Sequence, residues 1–440
     1  MSRRFYLLSL GCPKNAVDSE AMQNLLEDAG WRCTERPDRA DVLIVNTCGF
    51  IGQAREESHD ALRALAQHKW AGQVLLAAGC LSQRYGQEIQ RTVPGVDGCL
   101  GTREWAHIVE CVEQLSDRDR VASVRPSGEV SVVAPMRRQA QAPSAYLKIA
   151  DGCSAPCAFC AIPLIKGPQR SKPRAAILQE AQELVAQGVQ EIILIAQDTT
   201  AYGRDLGQTD ALPGLLEEIL KAVPDLGWLR LMYAYPQHIT PRLIETMATH
   251  PQVCHYLDLP LQHAHPETLR RMRRSPDVDG VRKLLAALRQ AMPDMALRTA
   301  FIVGYPGETE EEFAALLRFM SEVRFDKVGV FVYSPEEGTP AYTLPHPVPR
   351  AVAEERYAQA MELQKSISLA NNLAQVGRTL DVLVEGAEQG ISVGRCYRDA
   401  PEIDGYVLMD GEWPVGQMVR AEIVRGLEYD LHAQVVSVQP

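Results

Sequence analysis

The stretch that decides the fold lies in the middle of the chain and reads Tyr146-Leu-Lys-Ile-Ala-Asp-Gly-Cys-Ser-Ala-Pro-Cys-Ala-Phe-Cys160. Its first four residues are predicted to form a buried strand, and a short turn then leads to Cys153, Cys157 and Cys160. Three thiolates on one tight loop can bind three irons of a 4Fe–4S cluster, because these clusters prefer thiolate ligands. Such a site leaves one iron open to a substrate or cofactor.

Structural zinc is the alternative occupant of this loop. Zinc sites of that kind need four ligands, usually arranged as two pairs. The nearest histidines in either direction are His107 and His238, and no fourth cysteine lies close to the loop. The spacing therefore favours an iron–sulfur cluster.

Strand-like apolar runs recur after this loop, separated by amphipathic helical stretches such as 175–186 and 310–323. Six consecutive strand–helix units predict a parallel, barrel-like sheet that is closed or partly open. The predicted strands are 146–149, 191–196, 228–234, 255–261, 297–303 and 328–333, and a long helical pattern follows over 351–375.

The first 120 residues alternate short apolar strands (5–10, 42–45, 74–78) with helical patterns (18–29, 52–67), which indicates a doubly wound parallel sheet. A cysteine follows each of these strands, namely Cys12, Cys48 and Cys80. Ligands bind at the carboxyl ends of the strands in such sheets, so the three cysteines are expected to converge. Flanking glycines let the backbone bend around a bulky ligand; they are Gly11, Gly49 and Gly79.

A second three-thiolate cluster is therefore predicted at the amino-terminal domain. Taken singly, each of its cysteines is better interpreted as a small buried hydrophobic residue, which is the usual fate of a free cysteine. The repeated strand–cysteine context favours a functional trio. Five further cysteines share no such context and are assigned to packing: Cys33, Cys99, Cys111, Cys254 and Cys396.

The composition of the chain changes at two further points. Residues 123–143 are rich in Pro, Arg and Gln and are predicted to form a linker. The last 64 residues alternate short strands without a helix (379–384, 390–396, 405–408, 418–424, 433–438), which predicts a small OB-like barrel. The expected organisation is thus a domain over 1–122, a linker over 123–143, a barrel with its following helix over 144–375, and a small barrel over 376–440.

Overall composition limits the classes of function. The 440 residues are 46% hydrophobic and 23% charged, which is ordinary for a globular protein of about three domains. A net charge of −11 argues against a general nucleic-acid binder with a broad basic surface. No apolar run is long enough to span a membrane, and Lys14 and Asp18 interrupt the first one too early for an export signal. We expect a cytoplasmic protein, in which grouped cysteines bind metal more often than they form disulfides.

The whole chain resembles the radical S-adenosylmethionine methylthiotransferase family. The three-cysteine loop after a first barrel strand is similar to the signature of radical S-adenosylmethionine enzymes, and five other motifs narrow the match. They are Ser9-Leu-Gly-Cys-Pro-Lys-Asn15, Val17-Asp-Ser-Glu20, Asn46-Thr-Cys-Gly-Phe50, Asp258-Leu-Pro-Leu-Gln-His263 and Phe301-Ile-Val-Gly-Tyr-Pro-Gly-Glu-Thr309. Within the family, they are most similar to the branch that methylthiolates an aspartate of the twelfth small-subunit ribosomal protein. The resemblance implies a partial (β/α)6 barrel and a carboxyl-terminal TRAM barrel.

The resemblance also implies the cofactors, which are two 4Fe–4S clusters and S-adenosyl-L-methionine. The cluster on Cys153, Cys157 and Cys160 would bind S-adenosylmethionine, whose one-electron cleavage gives a radical that removes a hydrogen atom from the aspartate β-carbon. The cluster on Cys12, Cys48 and Cys80 would hold or deliver the sulfur. A second S-adenosylmethionine would donate the methyl group, and a one-electron reductant is the implied partner. No catalytic residue is expected beyond the cluster ligands.

Further cofactor contacts are expected at the carboxyl ends of the barrel strands, where barrel enzymes place their chemistry. An equally good interpretation of these residues is that they form strand-end turns and helix caps. A residue between two cluster ligands is expected to shield the cluster or stack near adenine. The candidates are Gln197, Asp198, Gln262 and Gly304 at the strand ends and Phe159 in the loop.

Three nearby positions carry separate expectations. The family commonly has an arginine where this chain has Lys166, which keeps the charge but not the planar fork, so that Arg170 is the candidate to replace a bidentate contact. His263 and His265 are expected to be solvated loop residues rather than ligands.

The substrate has two candidates, because sibling enzymes methylthiolate an adenosine of transfer RNA. Residues 377–440 carry five basic and eleven acidic residues, a net charge of −6. A barrel that binds RNA needs basic residues for phosphates and aromatic residues for bases, so this one favours a basic ribosomal protein, free or in the ribosome. Acidic surface that only aids solubility is the alternative, and the motif match makes the protein substrate the better interpretation. The non-enzyme alternative is an iron–sulfur or zinc protein that acts as a ribosome adaptor.

Overall fold

The computed structural model describes residues 3–116 and 136–438. The amino-terminal domain is a five-stranded sheet in the order β2-β1-β3-β4-β5 with all pairs parallel. Its strands β1 to β5 are Arg4–Ser9, Arg32–Cys33, Val42–Thr47, Val74–Gly79 and Gly98–Gly101, and its helices α1 to α4 are Pro13–Asp28, Gly52–His68, Cys80–Thr92 and Ile108–Ser116.

Helices cover both faces of this sheet. Met22 of α1 and Ile108 of α4 pack against one face, while Leu62 of α2 and Ile89 of α3 pack against the other. The doubly wound fold is therefore confirmed. The pairs β1–β2 and β4–β5 extend the sheet beyond the three strands that the apolar runs predicted.

The middle domain is a six-stranded parallel sheet in the order β13-β12-β11-β10-β9-β6, with a two-stranded pair, β7 and β8, beside it. The strands β6 to β13 are Ser144–Lys148, Ala150–Asp151, Arg170–Ser171, Glu191–Ile195, Trp228–Leu231, Val253–Asp258, Ala296–Val303 and Lys327–Val332. The helices α5 to α12 are Ile162–Lys166, Arg174–Ala186, Ala211–Ala222, Pro241–Thr249, Pro266–Arg271, Val278–Ala291, Glu310–Val323 and Arg350–Leu373. In the described residues this sheet stays open between β6 and β13, so it is a partial barrel.

The carboxyl-terminal domain is a closed barrel in the order β14-β15-β16-β18-β17. Its strands β14 to β18 are Thr379–Glu388, Ile391–Cys396, Val407–Asp410, Met418–Gly426 and Leu431–Val438. Alternate residues such as Val382, Val384 and Val419 form its core, as expected when strands of period two enclose one interior. The predicted five-stranded barrel is confirmed.

The small barrel packs against the concave face of the open sheet, toward the amino ends of its strands. Leu383 and Ala400 of the small barrel join Trp228, Tyr256 and Ala296 of the sheet in one buried cluster. Val17 of α1 belongs to the same cluster, so the amino-terminal domain packs at this face as well.

Most of the predicted linker lies outside the described residues. In its described part, Arg138 is buried and its guanidinium pairs with Glu20 of α1 at 2.9 Å and Glu180 of α6 at 3.4 Å. This arginine therefore joins the first two domains. No helix in the described part of the chain combines the length and hydropathy that crossing a bilayer requires.

Candidate active site

The loop 153–160 lies between β7 and α5 and is held by backbone hydrogen bonds. The Cys153 amide donates to the Gly167 carbonyl at 3.0 Å, and the Ala158 amide donates to the Met272 carbonyl at 2.9 Å. Gly152 enters the loop with φ +71°, where a Cβ would lie 2.2 Å from the Pro168 carbonyl oxygen. Only glycine fits there. The backbone hydrogen bonds and this glycine therefore set the conformation of the loop.

The thiols of this loop are partly enclosed and have one cationic neighbour. The Arg274 Nη1 donates to the Cys157 Sγ at 3.6 Å, and its guanidinium lies 4.3 Å from the Tyr235 ring centroid. Burial raises the pKa of Cys160 to about 12 and also raises the pKa of Cys153. Metal binding must therefore displace protons from these thiols, as it does wherever thiolates are ligands.

The second trio converges at the carboxyl edge of the amino-terminal sheet. Cys12 caps α1, Cys48 follows β3, and Cys80 begins α3. A Cβ on Gly11 would lie 2.9 Å from the Cys48 Sγ, and a Cβ on Gly49 would lie 2.9 Å from the Cys80 carbonyl carbon. These contacts bring the three cysteine-bearing turns against one another. Burial raises the pKa of Cys80 to about 12.

Each predicted donor set consists of three thiols. Three thiolates match the ligands of a 4Fe–4S cubane with one open iron, because a cubane takes one thiolate per iron. Within 3–116 and 136–438, no three His, Cys, Asp or Glu side chains are grouped around the position of a single metal ion.

A buried network of four charged side chains lies between the two trios. The Lys166 ammonium contacts Asp18 of α1 at 2.8 Å and Asp151 of β7 at 3.2 Å. Lys148 of β6 contacts the same two carboxylates, at 3.3 Å in the case of Asp151. Despite burial, Lys148 and Lys166 hold the pKa of Asp151 well below its usual range. Two positive and two negative charges thus neutralise one another across the domain boundary.

Gln197 lies beside this network at the end of β9. Its Nε2 donates to the Asp151 Oδ1 at 3.1 Å, while its Oε1 is buried and has no hydrogen-bond partner. An unpaired buried carbonyl is costly in a protein interior, so it indicates a place that a ligand completes.

The other predicted cofactor contacts have local roles in the structure. The Gly304 amide donates to the Glu308 Oε2 at 2.6 Å, and a Cβ on Gly304 would lie 2.3 Å from that of Ala353 in α12. The Gln262 backbone bridges to β12 with φ +74°. Phe159 packs beside the buried Met272 and Tyr305, and Asp198 accepts from the Ala201 amide. Their contacts to a cofactor stay predictions.

The prediction for His263 was wrong. This residue is only 2% exposed, and its Nε2 lies 3.0 Å from the Glu308 carboxylate. The left-handed backbone at Gln262 turns the following side chain inward to this buried carboxylate. His265 is partly exposed, and its Nδ1 accepts from the Glu267 amide at the start of α9. Arg170, offered as a substitute for a bidentate contact, is exposed.

Two residues that the sequence patterns did not single out as site residues are Lys14 and Tyr233. Lys14, two residues after Cys12, is 8% exposed, and its ammonium lies 3.1 Å from the Tyr233 ring centroid. Burial lowers the pKa of Lys14, although Cys12 and Asp258 oppose the shift. Tyr233 follows β10 with φ +60°, a left-handed conformation that is rare outside glycine. The signal for Lys14 was its place in the motif around Cys12.

Comparisons with known proteins agree with this architecture. Residues 4–101 match the model described as "Uncharacterized protein family UPF0004", residues 147–320 match the radical SAM superfamily, and residues 376–436 match the TRAM domain. The solved structure of the radical S-adenosylmethionine methyltransferase TsrM from Kitasatospora setae is similar with a TM-score of 0.58 and 17% identity, covering 78% of this chain and 77% of that one. Fold and superfamily together define a radical S-adenosylmethionine enzyme, with a 4Fe–4S cluster and S-adenosylmethionine as its cofactors.

Curated relatives define the family more narrowly. "Ribosomal protein uS12 methylthiotransferase RimO" of Roseiflexus sp. (strain RS-1) is 50% identical over 459 residues, covering 98% of this chain and 97% of the relative. The protein of the same name from Chloroflexus aurantiacus is 50% identical over 457 residues, covering 99% and 100%. The chain belongs to the RimO family of radical S-adenosylmethionine methylthiotransferases.

Proposed function

We propose that this enzyme installs a methylthio group on the β-carbon of an aspartate of ribosomal protein uS12. The observation that carries the proposal is the identity of 50% over 98% or more of the chain to relatives named for that activity. Because uS12 is made and assembled into ribosomes in the cytoplasm, we place the enzyme there as well.

In this proposal Cys153, Cys157 and Cys160 hold the cluster that binds S-adenosylmethionine. When bound, that pair supplies the carbon radical that removes a hydrogen atom from the substrate. The contact between Arg274 and Cys157 places a positive charge beside this loop. Gln197, with its unpaired oxygen, is proposed to contact the cofactor at the same edge of the sheet.

Cys12, Cys48 and Cys80 hold a second cluster, which we propose as the place where sulfur is held or delivered. The network of Asp18, Asp151, Lys148 and Lys166 fixes the distance between the two sites, because it joins α1 of one domain to β6, β7 and α5 of the other.

The surface of the small barrel supports a protein substrate over transfer RNA. Of its five arginines, Arg395 and Arg398 are buried in ion pairs with Glu191 and Asp326. Six of its acidic residues are exposed, against two exposed arginines. The exposed surface of the small barrel is thus predominantly acidic, which favours a basic partner.

Iron content and cofactor cleavage test the two sites separately. Anaerobically reconstituted enzyme is expected to hold about eight irons, two cubanes of four. Replacing Cys12, Cys48 and Cys80 with Ala should leave about four irons and retain reductive cleavage of S-adenosylmethionine without methylthiolation. Replacing Cys153, Cys157 and Cys160 should abolish cleavage, and Cys33→Ala, outside both trios, should change neither. Bound zinc without cleavage would instead support the adaptor.

The substrate is tested in a strain that lacks the gene. Mass spectrometry of uS12 and nucleoside analysis of transfer RNA are carried out on the same cells. Loss of the methylthio group from uS12 is the expected result. If uS12 keeps its full mass and transfer RNA loses a methylthio group, the substrate assignment is wrong.

A further inference from the structure

Lys14 is a buried cation that lacks a carboxylate partner. It lies in the first turn of α1 and is 8% exposed, and its ammonium lies over the face of Tyr233 at 3.1 Å from the ring centroid. Among the ion pairs of the described residues, none includes Lys14. A buried ammonium is normally paired, because transfer of an unpaired charge out of water is costly.

The carboxylates around Lys14 are already neutralised by other cations. Asp18 and Asp151 are shared by Lys148 and Lys166, and Asp258 pairs with the Arg298 guanidinium at 2.8 Å. The Arg298 guanidinium also contacts Asp404 at 3.3 Å. Each of these carboxylates thus contacts another cation, and none of them forms an ion pair with Lys14 in the described residues, so a ligand with an anionic group would give the ammonium a partner.

The position of the ammonium is fixed by the backbone beneath it. Tyr233 has φ +60°, and this conformation is maintained because its amide donates to the Asp258 Oδ2 at 3.2 Å and its carbonyl accepts from the Thr199 amide at 3.0 Å. Strained backbone that surrounding contacts maintain is typical of ligand sites. Close by, Gln197 bonds Asp151 and has an unpaired buried oxygen, a second sign of a ligand at this edge.

We propose that Lys14 binds the side-chain carboxylate of the substrate aspartate and so selects aspartate for modification. The inference rests on the proposed function, in which the reacting carbon is the β-carbon directly bonded to that carboxylate. A charge-assisted hydrogen bond from Lys14 would fix the carboxylate. The reacting carbon, one bond from that carboxylate, would then be held beside the second trio, which begins at Cys12. Asparagine, which has the same shape without the charge, would leave the ammonium unpaired.

Peptide binding to reconstituted holoenzyme tests this assignment without turnover. Two labelled peptides of the uS12 target segment, with Asp or with Asn at the target position, are titrated anaerobically and followed by fluorescence anisotropy. Wild-type enzyme is expected to prefer the Asp peptide by about 10- to 100-fold. Lys14→Met should bind the Asp peptide that much more weakly and should bind both peptides equally. Lys14→Arg should retain part of the preference.

The control is Lys221→Met, which removes an equal charge from an exposed position of α7 and should leave both affinities unchanged. Iron is counted in every variant. If Lys14→Met loses iron but still prefers the Asp peptide, the ammonium serves the second cluster and the assignment is overturned. If the variant keeps both iron and preference while wild type modifies uS12, only the Lys14 assignment fails. If wild type neither binds nor modifies either peptide, the proposed function fails, and this inference fails with it.

Discussion

Glu191 shows how single buried charges stabilise this molecule. The side chain is fully buried, and its carboxylate contacts Arg230 at 2.6 Å and Arg395 of the small barrel at 2.5 Å. Burial alone would favour the protonated acid, but the two guanidinium groups outweigh it and lower the pKa of Glu191 to about 2. The ionised carboxylate therefore links the small barrel to the open sheet through Arg395.

We predict that Glu191→Gln lowers the free energy of unfolding at pH 7 by about 3 kcal/mol, since it leaves the buried Arg230 without a carboxylate partner and Arg395 with Glu385 alone. The folded-state pKa lies below the usual value of 4.5, so the carboxylate's contribution is present above pH 4.5 and is lost as the pH falls toward 2. Urea unfolding should show a difference between wild type and variant that shrinks over that range. Glu322→Gln, at an exposed pair with Arg282, should cost little at any pH. A difference independent of pH would contradict the assignment.

At the scale of single residues, the sequence could predict the cysteine ligands, because their spacing along the chain indicates their chemistry. The two cysteine trios follow strands in a repeated context, and the structure brings the turns of Cys12, Cys48 and Cys80 together. The charged residues between the trios were not predictable. Asp18 and Lys166 lie on separate helices far apart in the chain, so only the packing of two domains shows that they pair.

At the scale of elements, the turn from β1 to α1 determines the second site. Gly11 has φ +90°, and a Cβ there would lie 2.7 Å from the Cβ of Cys48. This glycine is thus required both by its backbone conformation and by the approach of a neighbouring turn. Gly30, after the end of α1, has φ +86° but nothing within 4 Å of the position of its Cβ. Comparing the two glycines therefore separates the effect of the left-handed backbone from the effect of crowding around the added Cβ.

We predict that Gly11→Ala displaces Cys48 and reduces the iron of the reconstituted enzyme from about eight to about four, with cleavage of S-adenosylmethionine retained. Gly30→Ala should lose about 1 kcal/mol of stability from the left-handed backbone and keep its full iron content. Iron analysis and thermal melting of the two variants give the comparison. Equal iron in both would show that the turn at Cys48 tolerates the added carbon.

Most elements were predictable because their periodicity is strong, and the strands that were missed are short. The pairs β7–β8 and β1–β2 include strands of two residues, which show no pattern of their own. β10 was predicted to reach residue 234 but ends at Leu231, because Tyr233 turns into the left-handed region to contact Asp258. The apolar sequence continues beyond Leu231, but the backbone there no longer pairs in the sheet and instead lines the candidate site.

At the scale of the whole molecule, the small barrel both packs against the open sheet and carries an exposed acidic surface. Its inward face packs against the open sheet through Leu383 and Ala400, and its buried Arg395 and Arg398 pair with Glu191 of β9 and with Asp326 just before β13. The arginines are thereby withdrawn from the surface. The outward face retains the exposed acidic residues Glu388, Glu402, Asp410, Glu412, Glu422 and Glu428. Such a surface attracts a basic protein over distances comparable to the Debye length.

We predict that the double variant Glu388→Lys with Glu422→Lys slows association with uS12 by about 10-fold at low ionic strength. The new positive charges would repel the basic uS12 at a surface whose acidic residues attract it. Salt should remove most of the difference, since exposed charges are screened. Stopped-flow measurements with labelled uS12 provide the rates. The control, Asp60→Lys with Glu113→Lys, makes the same change of charge on exposed positions of the amino-terminal domain and should have a smaller effect. Equal slowing by both variants would mean that total charge, and not the barrel face, attracts the substrate. Faster binding of transfer RNA than of uS12 by wild type would contradict a protein-facing barrel.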